Sequence, residues 1–418
     1  MRTLDDLIAD GVQDRFVLLR ADLNVPLDGY VITDDGRIRA ALPTITRLAG
    51  AGAKVLVVAH LGRPEGGAPP GRDPRSTLSP VAGRLGQLLD QRVSLAEDVV
   101  GRSARGVAGG LRPGGVAVLA NVRCDARETG TEGERDQLAT ELAELVPGGA
   151  FVSDGFGVVH REQASVVEVA RKLPAYGGDL VARETEVLRR LSPQEDGAGP
   201  DRPYVVILGG SKVSDKLGVL SNLLPTVDRL LVGGAMCFTF LAAQGHDVGG
   251  SKLESDQVET CKDLLDRYAD RLVLPTDVVV ASEFSADAQT RTVSVSAMPE
   301  GWMGLDVGPE TVAAFGAALD GAATVFWNGP MGVFEMAPFA AGTTGVAEAV
   351  AASSAFSVIG GGDSASAIRA AGLDEDRFGH VSTGGGASLE FLEGHVLPGI
   401  AVLEETERSG ARPSGEEA

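Results

Sequence analysis

Short runs of apolar residues recur along the chain, and most are followed by glycine or polar residues and then by a helical pattern. In the first part the runs are FVLLR, KVLVVAH, VAVLAN and AFVSDGFG. In the second part they are YVVILGG, RLLVGGAM, RLVLPTDVV, TVFWNGP, FSVIGGG and HVSTGGG. Near-continuous runs of valine, isoleucine and leucine are typical of parallel strands that helices cover on both faces. The pattern therefore predicts an α/β chain with two sheets.

The segments between these runs are long enough for crossover helices. Apolar residues of the segment SKVSDKLGVLSNLL recur at i, i+4, i+7 and i+11: Val213, Leu217, Leu220 and Leu224. This spacing predicts one amphipathic helix. Lys212 and Lys216 are four residues apart in the same segment. We therefore expect both ammonium groups on one helix face, within reach of one polyphosphate.

The chain is expected to divide within residues 172–203. There LPAYGG precedes the charged helical stretch DLVARETEVLRRL, a helix that could join two domains rigidly. The segment SPQEDGAGPDRP follows it and is polar and rich in glycine and proline, which marks an exposed connection. The polar tail SGARPSGEEA is expected to be disordered.

Composition and charge narrow the class of protein. The 418 residues include 37 Lys and Arg against 58 Asp and Glu, a formal net charge of −21. This balance argues against a general nucleic-acid binder, which needs a basic surface. No apolar run reaches ~18 residues, so we expect no transmembrane helix and no membrane partner. The three cysteines and the absence of a signal peptide predict reduced thiols and a cytoplasmic location.

Basic and polar residues follow the strands predicted in the first part of the chain. They are Arg20, Asp22, Asn24, Arg37, His60, Arg63, Asn121, Arg123, His160 and Arg161. Ligands of open α/β sheets bind beyond the carboxyl ends of the strands. Arginine forks match the paired oxygens of carboxylates and phosphates, so this set predicts a concave anion site. The alternative is that each arginine makes a structural salt bridge.

Glycines follow the strands predicted in the second part, and helical patterns follow the glycines. GGSKVSDK, GGGDSASAI and STGGGASLEFL all have this form. Glycine lets backbone N–H groups face a phosphate, and a helix N-terminus adds partial positive charge. Asp363 lies in the first turn of such a helix, where a carboxylate can bind Mg²⁺ beside the phosphates. Its alternative role is a helix N-cap. Three such loops predict a nucleotide site.

Other site types have weaker support. The chain contains neither a GxxxxGK[ST] loop nor an HRDxxxxN loop. Gly360, Gly362 and Ala365 satisfy GxGxxA, but HVSTGGG lacks the acidic residue that a dinucleotide site needs about 20 positions later. His60 and His160 have no paired metal-ligand spacing. The residues alone therefore predict one lobe for an anionic metabolite and one for a Mg-nucleotide, with phosphoryl transfer requiring closure that excludes water.

Seven motifs occur in the order found in phosphoglycerate kinases, so the chain resembles that family over nearly its whole length. They are RADLNVP, HLGRP, GGSKVSDK, GWMGLDVGPET, FWNGPMGVFE, GGGDSASA and HVSTGGGASLEFLEG. The resemblance implies an ATP:3-phosphoglycerate 1-phosphotransferase of glycolysis, which interconverts 1,3-bisphosphoglycerate and ADP with 3-phosphoglycerate and ATP, using Mg²⁺.

The resemblance also implies an architecture of two Rossmann-like lobes, with parallel sheets flanked by helices and an interdomain helix joining them. The expected phosphoglycerate lobe is residues 1–172 plus 391–418, because the family's C-terminal segment returns to the first lobe. The expected interdomain helix and Mg-nucleotide lobe are residues 173–390. The segment GGDLVARE is atypical of the family, so the motifs leave the hinge position open.

Site residues follow from the resemblance position by position. The phosphoglycerate positions are Asp22, Asn24, Arg37, His60, Arg63, Arg123 and Arg161. The nucleotide positions are Lys212, Lys216, Gly304, Asn328, Glu335, Gly361, Gly362, Asp363 and Ser364, with Asp363 toward the metal and Glu335 toward the ribose hydroxyls. Lys212 matches the family lysine near the transferred phosphoryl group. The family's Glu-Asn-x-Arg-Phe is Ala120-Asn121-Val122-Arg123-Cys124 here, which keeps Arg123 and changes the residues around it.

The implied chemistry needs no general base, because the acceptor carboxylate is ionised at neutral pH with an unperturbed pKa near ~3.5. Positive charge and N–H donors that neutralise the migrating group are then the catalytic groups. They are Arg37, Lys212, Lys216 and the helix N-termini at Gly362 and Gly385. Asp22 could act as a base, but orienting the substrate is the preferred role.

Two other functions stay open at this point. One is a nucleotide-binding scaffold that has lost turnover, which the retained arginines and lysines argue against. The other is a nicotinamide oxidoreductase, which NADH binding would reveal. We further expect a monomer, because the chain shows no heptads and the family's cleft has to open.

Overall fold

The computed structural model of the chain describes residues 1–64, 76–192 and 199–408. Contacts between Cα atoms divide the chain into two units. The first comprises Met1–Glu186 and the residues from Val396 onward, and the second comprises Val187–His395. The tail SGARPSGEEA and half of the predicted exposed connection, residues 193–198, lie outside the described residues.

The first unit is built on a parallel sheet of six strands, with a separate two-stranded antiparallel hairpin. Its strands are β1 (Phe16–Ala21), β2 (Leu27–Asp28), β3 (Val31–Ile32), β4 (Lys54–Val58), β5 (Ser94–Leu95), β6 (Val116–Val118), β7 (Ala150–Asp154) and β8 (Ala175–Gly177). The order in the sheet is β5-β6-β4-β1-β7-β8. The four predicted runs form the centre, whereas the sequence missed β5 and β8 at the edges because they are too short to show a pattern.

Helices pack on this sheet through their apolar faces. They are α1 (Leu4–Ala9), α2 (Gly36–Gly50), α3 (Ser79–Leu89), α4 (Arg102–Gly109), α5 (Glu132–Glu144) and α6 (Val169–Lys172), with 3₁₀ turns at Val122–Cys124, Ala126–Thr129 and Phe156–Val158 and a π turn at Ala164–Glu168. The next helix, α7 (Asp179–Arg190), belongs to both units, because the first unit ends at Glu186 and the second begins at Val187. Capping boxes begin α1 and α5, where Thr3 pairs with Asp6 and Thr131 pairs with Glu134.

The second unit has its own parallel sheet of six strands and a three-stranded antiparallel sheet. Its strands are β9 (Tyr204–Leu208), β10 (Arg229–Val232), β11 (Leu272–Val273), β12 (Asp277–Ala281), β13 (Thr290–Ser294), β14 (Met303–Val307), β15 (Thr324–Asn328), β16 (Phe356–Gly360) and β17 (His380–Val381). The parallel order is β11-β10-β9-β15-β16-β17, and the antiparallel order is β13-β12-β14.

The helices of the second unit follow its strands in the βαβ manner. They are α8 (Leu217–Leu223), α9 (Cys237–Ala243), α10 (Val258–Tyr268), α11 (Pro309–Ala318), α12 (Ala341–Ala352), α13 (Gly362–Ala370) and α14 (Gly385–Leu392), with 3₁₀ turns at Ser214–Lys216, Ser255–Gln257, Val295–Ala297, Ala337–Phe339 and Glu375–Arg377. The last helix, α15 (Pro398–Arg408), belongs to the first unit, where the Gly399 N–H donates to the Val159 carbonyl at 2.8 Å.

Two local predictions were wrong. The run RLVLPTDVV is two strands in different sheets, because the chain leaves the parallel sheet after β11 and enters the antiparallel sheet with β12. The helix predicted from residue 211 starts as a 3₁₀ turn at Ser214 and becomes α-helical only at Leu217. Lys212 therefore precedes the helix, and the two lysines do not share a helix face.

The predicted fold class is confirmed in its main features, since both large sheets are parallel and flanked by helices. All three cysteines are free and buried. In the part of the chain that the structure describes, no helix combines the length and the apolar character needed to cross a membrane.

Candidate active site

The carboxyl ends of four neighbouring strands bring the basic set of the first unit together. In the sheet order β6-β4-β1-β7, each strand is followed directly by part of that set. Asp22 follows β1, His60 follows β4, Arg123 follows β6, and Arg161 follows the 3₁₀ turn after β7. The parallel topology thus produces the predicted cluster from segments that are far apart in the sequence.

Arg37 and Asp22 form an ion pair at this edge, with Arg37 Nη1 2.7 Å from Asp22 Oδ2. The other carboxylate oxygen of Asp22 accepts the Asn24 N–H at 3.2 Å. Burial raises the pKa of Asp22, but the charge of Arg37 and other nearby groups outweigh it and hold the pKa below its usual value. Asp22 is therefore ionised at neutral pH, and a proton acceptor with a lowered pKa is a weak base.

A ladder of hydrogen bonds fixes the loops around Arg123. The side chain of Asn24 accepts the Gly62 N–H at 2.7 Å, and Arg123 Nη1 donates to the Gly62 carbonyl at 2.8 Å. Asn121 Oδ1 accepts the Arg123 N–H at 3.1 Å, while its amide donates to the Leu61 carbonyl at 2.7 Å. The changed residues Ala120 and Cys124 are both buried, and these bonds hold Arg123 without them.

Among the described residues, neither Arg123 nor Arg161 forms an ion pair with a carboxylate, and their side chains bond instead to the Gly62 carbonyl and to His160. Burial first, and then repulsion by Arg161, lower the pKa of Arg123 to about 10. Arg161 Nε donates to His160 Nε2 at 3.0 Å, and burial with that positive charge lowers the pKa of His160 to about 4. The salt-bridge alternative thus holds for Arg37 but not for these two arginines, which favours an anion site.

In the second unit, glycines follow the carboxyl ends of strands in the large parallel sheet, at positions where backbone segments touch. A Cβ on Gly209 would lie 2.2 Å from the Pro330 carbonyl oxygen, and a Cβ on Gly234 would lie 2.4 Å from the Gly210 nitrogen. A Cβ on Gly329 would lie 2.4 Å from the Gly209 carbonyl oxygen, and Gly329 has a φ of +93°. Only glycine permits this close approach of three loops.

Gly329→Ala should therefore destabilise the protein by more than ~3 kcal/mol, because it adds a clash with backbone to an unfavourable positive φ. Gly372→Ala is the matched control, since Gly372 also has a positive φ of +71° but has open space around its Cβ position. That control should lose only about 1–2 kcal/mol. Chemical denaturation measures both, and equal losses would show that the contact at Gly329 is unimportant.

Two glycine-initiated helices of the second unit begin next to each other. Gly361, with a φ of +94°, is the N-cap of α13, and a Cβ on Gly385 would lie only 3.0 Å from the Cα of Gly361. Ser364 is buried in the first turn of α13, where its hydroxyl accepts the Gly329 N–H at 2.8 Å. The unpaired N–H groups of two adjacent helix starts are a favourable environment for phosphate.

Lys216 and Asn328 join this edge from a 3₁₀ turn and from the end of β15. Lys216 Nζ donates to the Asn328 side-chain oxygen, and the Asn328 amide donates to the Gly360 carbonyl at 2.8 Å. Burial lowers the pKa of Lys216, while Asp215, Glu393 and Asp363 raise it in that order. The ammonium group thus lies among carboxylates beside the loop that starts α13.

Asp363 is exposed in the first turn of α13 and is not its N-cap, because Gly361 holds that position without a side-chain cap. The N-cap alternative is therefore wrong. Within the described ranges, no group of three or more His, Cys, Asp or Glu side chains could hold a metal ion. One exposed carboxylate fits Mg²⁺, which proteins commonly bind through one or two carboxylates together with substrate phosphates.

The other predicted nucleotide residues have different surroundings. Lys212 is exposed in non-helical backbone, and Glu335 is exposed in a turn before Ala337–Phe339. Gly304 lies in β14, where its N–H donates to the Ser251 hydroxyl at 2.8 Å and a Cβ would overlap the Phe238 ring at 2.0 Å. Within residues 1–64, 76–192 and 199–408, no hydrogen bond or ion pair joins these three residues to the glycine loops.

Comparison with known proteins gives an independent result. The family model described as phosphoglycerate kinase matches residues 4–395.

The chain belongs to the phosphoglycerate kinase family.

Relatives and solved structures agree with this assignment. The phosphoglycerate kinase of Corynebacterium urealyticum is 60% identical over 408 residues, which cover 96% of this chain and 99% of that protein. The phosphoglycerate kinase of Salinispora arenicola is 60% identical over 407 residues, which cover 97% of this chain and 99% of that protein. The structure of phosphoglycerate kinase from Coxiella burnetii has a TM-score of 0.81 at 39% identity, and the match covers 94% of this chain and 97% of that one. The phosphoglycerate kinase structure from Pyrococcus horikoshii has a TM-score of 0.85 at 33% identity, and the match covers 98% of this chain and 100% of that one.

The resemblance drawn from seven sequence motifs is thereby confirmed, and so is the predicted class of enzyme. The oxidoreductase alternative is wrong, since phosphoglycerate kinases are phosphotransferases. The roles of individual residues in substrate and nucleotide binding stay predictions, as does the ligand assigned to each unit.

Sequence reasoning missed a buried polar group beside the basic set of the first unit. It consists of Glu128 and Ser165, both fully buried, with Arg20 hydrogen-bonded to Ser165 at 2.8 Å. Glu128 lies in the polar stretch CDARETG, which has no periodicity, and the sequence therefore gave no sign that this carboxylate is buried. The role of Glu128 becomes clear only from the structure, where Ser165 links this carboxyl group to Arg20.

Proposed function

We propose that the chain transfers a phosphoryl group between 1,3-bisphosphoglycerate and ADP, with the first unit binding the phosphoglycerate and the second binding the Mg-nucleotide. Family membership supplies the reaction. The assignment of the phosphoglycerate to the first unit rests on one observation: Arg123 and Arg161, which form no ion pair among the described residues, belong to the same strand-end cluster as the Asp22–Arg37 ion pair. Two such guanidinium groups match the charge and geometry of a phosphate.

The proposed step is an in-line displacement at phosphorus. In the ATP-consuming direction, a carboxylate oxygen of 3-phosphoglycerate forms a bond to the γ-phosphorus, while the bond from that phosphorus to the bridging oxygen of ADP breaks. The electron pair of the broken bond stays on ADP, and no proton is transferred. Catalysis then consists of positioning and charge neutralisation, which suits a site whose acid, Asp22, has a lowered pKa.

The second unit contributes donors and a cation to this step. We expect the N–H groups at the starts of α13 and α14 to bind phosphate oxygens and Lys216, which bonds to Asn328, to supply positive charge. Asp363 would hold Mg²⁺, which when bound neutralises charge on the nucleotide phosphates. Lys212, Gly304 and Glu335 are proposed nucleotide contacts on the family pattern alone.

Asp363→Ala should lose most Mg-nucleotide turnover and keep its fold. The carboxylate is exposed and does not cap α13, so its removal should change the unfolding free energy by less than ~0.5 kcal/mol. The measurements are kcat across a Mg²⁺ titration and thermal unfolding. Exposed Asp376→Ala, at another turn of the same unit, is the control and should match wild type. A wild-type kcat at ordinary Mg²⁺ would remove Asp363 from the metal site.

A coupled assay of ATP use with 3-phosphoglycerate, with and without Mg²⁺, tests the proposed function directly. We expect Mg²⁺-dependent consumption of ATP that needs 3-phosphoglycerate. ATP binding without turnover would favour the inactive scaffold. The monomeric state and the cytoplasmic location also stay proposals, and sedimentation at several concentrations tests the first.

A further inference from the structure

A fully buried arginine lies behind the basic set of the first unit and has no place in the mechanism proposed above. Arg20 is the fifth residue of β1 and is 0% exposed. Burying a charge is costly unless its hydrogen-bonding groups are satisfied and an opposite charge lies nearby. Residues of the same unit give each guanidinium nitrogen a partner and place Glu128 and Asp22 nearby as opposite charges.

Each nitrogen of the Arg20 guanidinium group has its own partner. Nε donates to the Ser165 hydroxyl at 2.8 Å, and Nη1 donates to the Ala21 carbonyl at 2.6 Å. Nη2 lies 3.2 Å from His60 Nδ1. Because each nitrogen already has a partner within the protein and the side chain is buried, Arg20 is not positioned to bind a substrate anion itself.

The direction of each hydrogen bond in this group can be assigned. Glu128 accepts both the Ser165 N–H at 3.0 Å and the Ser165 O–H at 2.6 Å. The Ser165 O–H donates to Glu128, so the Ser165 oxygen is free to accept the Nε–H of Arg20. A guanidinium group has donors only, so His60 Nδ1 must accept, and the proton of a neutral His60 ring must be on Nε2.

We infer that Arg20, held by Ser165 and Glu128, is a positioning residue that fixes His60 as the tautomer with its proton on Nε2. With its proton on Nε2, His60 keeps one N–H donor that Arg20 does not use and that we propose is offered to an anion oxygen of the ligand. The identity of the ligand, 3-phosphoglycerate, rests on the proposed function. The assignment of the tautomer does not, because it follows from the hydrogen bonds of Arg20 and Ser165.

The electrostatic surroundings of His60 agree with a neutral ring. Burial first, and then the charge of Arg20, lower the pKa of His60 well below its usual value, with Arg123 and Arg37 acting in the same direction and Asp22 against them. The ring can therefore donate at neutral pH only through the nitrogen that carries its single proton. With the proton on Nδ1 instead, two donors would face each other and Nε2 would present a lone pair to the substrate anion.

Nitrogen NMR of protein labelled with ¹⁵N-histidine tests the tautomer without substrate. The chain has five histidines, and His60→Gln assigns the signal. We expect wild-type His60 at pH 7 to be a single neutral species with its proton on Nε2. A proton on Nδ1, an even mixture of tautomers, or a charged ring would overturn the inference, whatever the activity of the protein.

A variant then tests the role of Arg20. Arg20→Met combined with Glu128→Gln removes both buried charges together, which avoids leaving one unpaired. We expect mixed tautomers at His60 and a KM for 3-phosphoglycerate that rises about tenfold, the loss of one hydrogen bond to a charged group, with the KM for ATP unchanged. Wild-type tautomer and KM in the double variant would overturn the inference.

Arg127→Met is the matched control for general destabilisation. Arg127 lies next to Glu128 and is also ion-paired, to Asp125 at 2.8 Å and to Glu141 at 2.7 Å, but it makes no bond to Arg20 or His60. It should leave the tautomer and both KM values at wild-type levels. If wild-type protein shows the expected tautomer but no turnover in the coupled assay, the proposed function fails while the assignment of the tautomer stands.

Discussion

Arg37→Ala should lose on the order of 10³ in kcat while its KM for 3-phosphoglycerate changes little. Arg37 lies in the first turn of α2, and its Nη1 forms an ion pair with Asp22. The side chain is exposed enough for its other donors to reach a ligand. We expect those donors to bind the transferred phosphoryl group, whose charge is largest in the transition state. Removing a contact made mainly in the transition state lowers kcat rather than raising KM.

Three further variants separate this role from others. Arg39→Ala changes an exposed arginine of the same helix that pairs with Asp35, and it should match wild type. Asp22→Asn keeps Arg37 but removes the ion pair, and should mainly raise KM. Arg63→Ala, which we expect to remove uniform binding of the distal phosphate, should also raise KM with a modest change in kcat. A large rise in KM with unchanged kcat in Arg37→Ala would reassign that residue to substrate binding.

The sequence correctly predicted the strands that are buried on both faces, because such strands are rich in apolar residues. The central strands β1, β4, β7, β9, β15 and β16 are all rich in apolar residues, and nearly all of their residues are buried. The pattern could not separate β11 from β12, because valine-rich residues suit an antiparallel strand equally well. Which sheet a strand joins depends on the path of the chain, which local composition does not encode.

The site shows the same division between local and tertiary information. Asp363 was placed correctly in the first turn of α13, since three glycines and a helical pattern are local signals. The helix that was to align Lys212 with Lys216 begins too late, because a 3₁₀ turn occupies Ser214–Lys216. The bond between Lys216 and Asn328 joins residues 112 positions apart, and no periodicity could have predicted it.

Lys216→Met should lose on the order of 10³ in kcat, the scale found for cations that stabilise a phosphoryl transition state. Lys216 is part-buried, bonds to Asn328 and lies near Asp363. Methionine has a similar length and no charge, so packing in the 3₁₀ turn should be largely kept. Among the described residues, the side-chain partner of Lys216 is the neutral amide of Asn328 and not a carboxylate, so the unfolding midpoint should fall little.

Steady-state kinetics in both substrates and thermal unfolding check this expectation. Lys262→Met, at an exposed position of α10, is the control for removing one positive charge from the second unit. It should keep wild-type kcat, KM and stability. A Lys216→Met protein with wild-type kcat and a raised KM for ATP would assign Lys216 to ground-state binding of the nucleotide. A normal kcat and a low unfolding midpoint would instead assign it to the packing of Asn328 against the loop at Gly360, because the Asn328 amide reaches that loop at 2.8 Å.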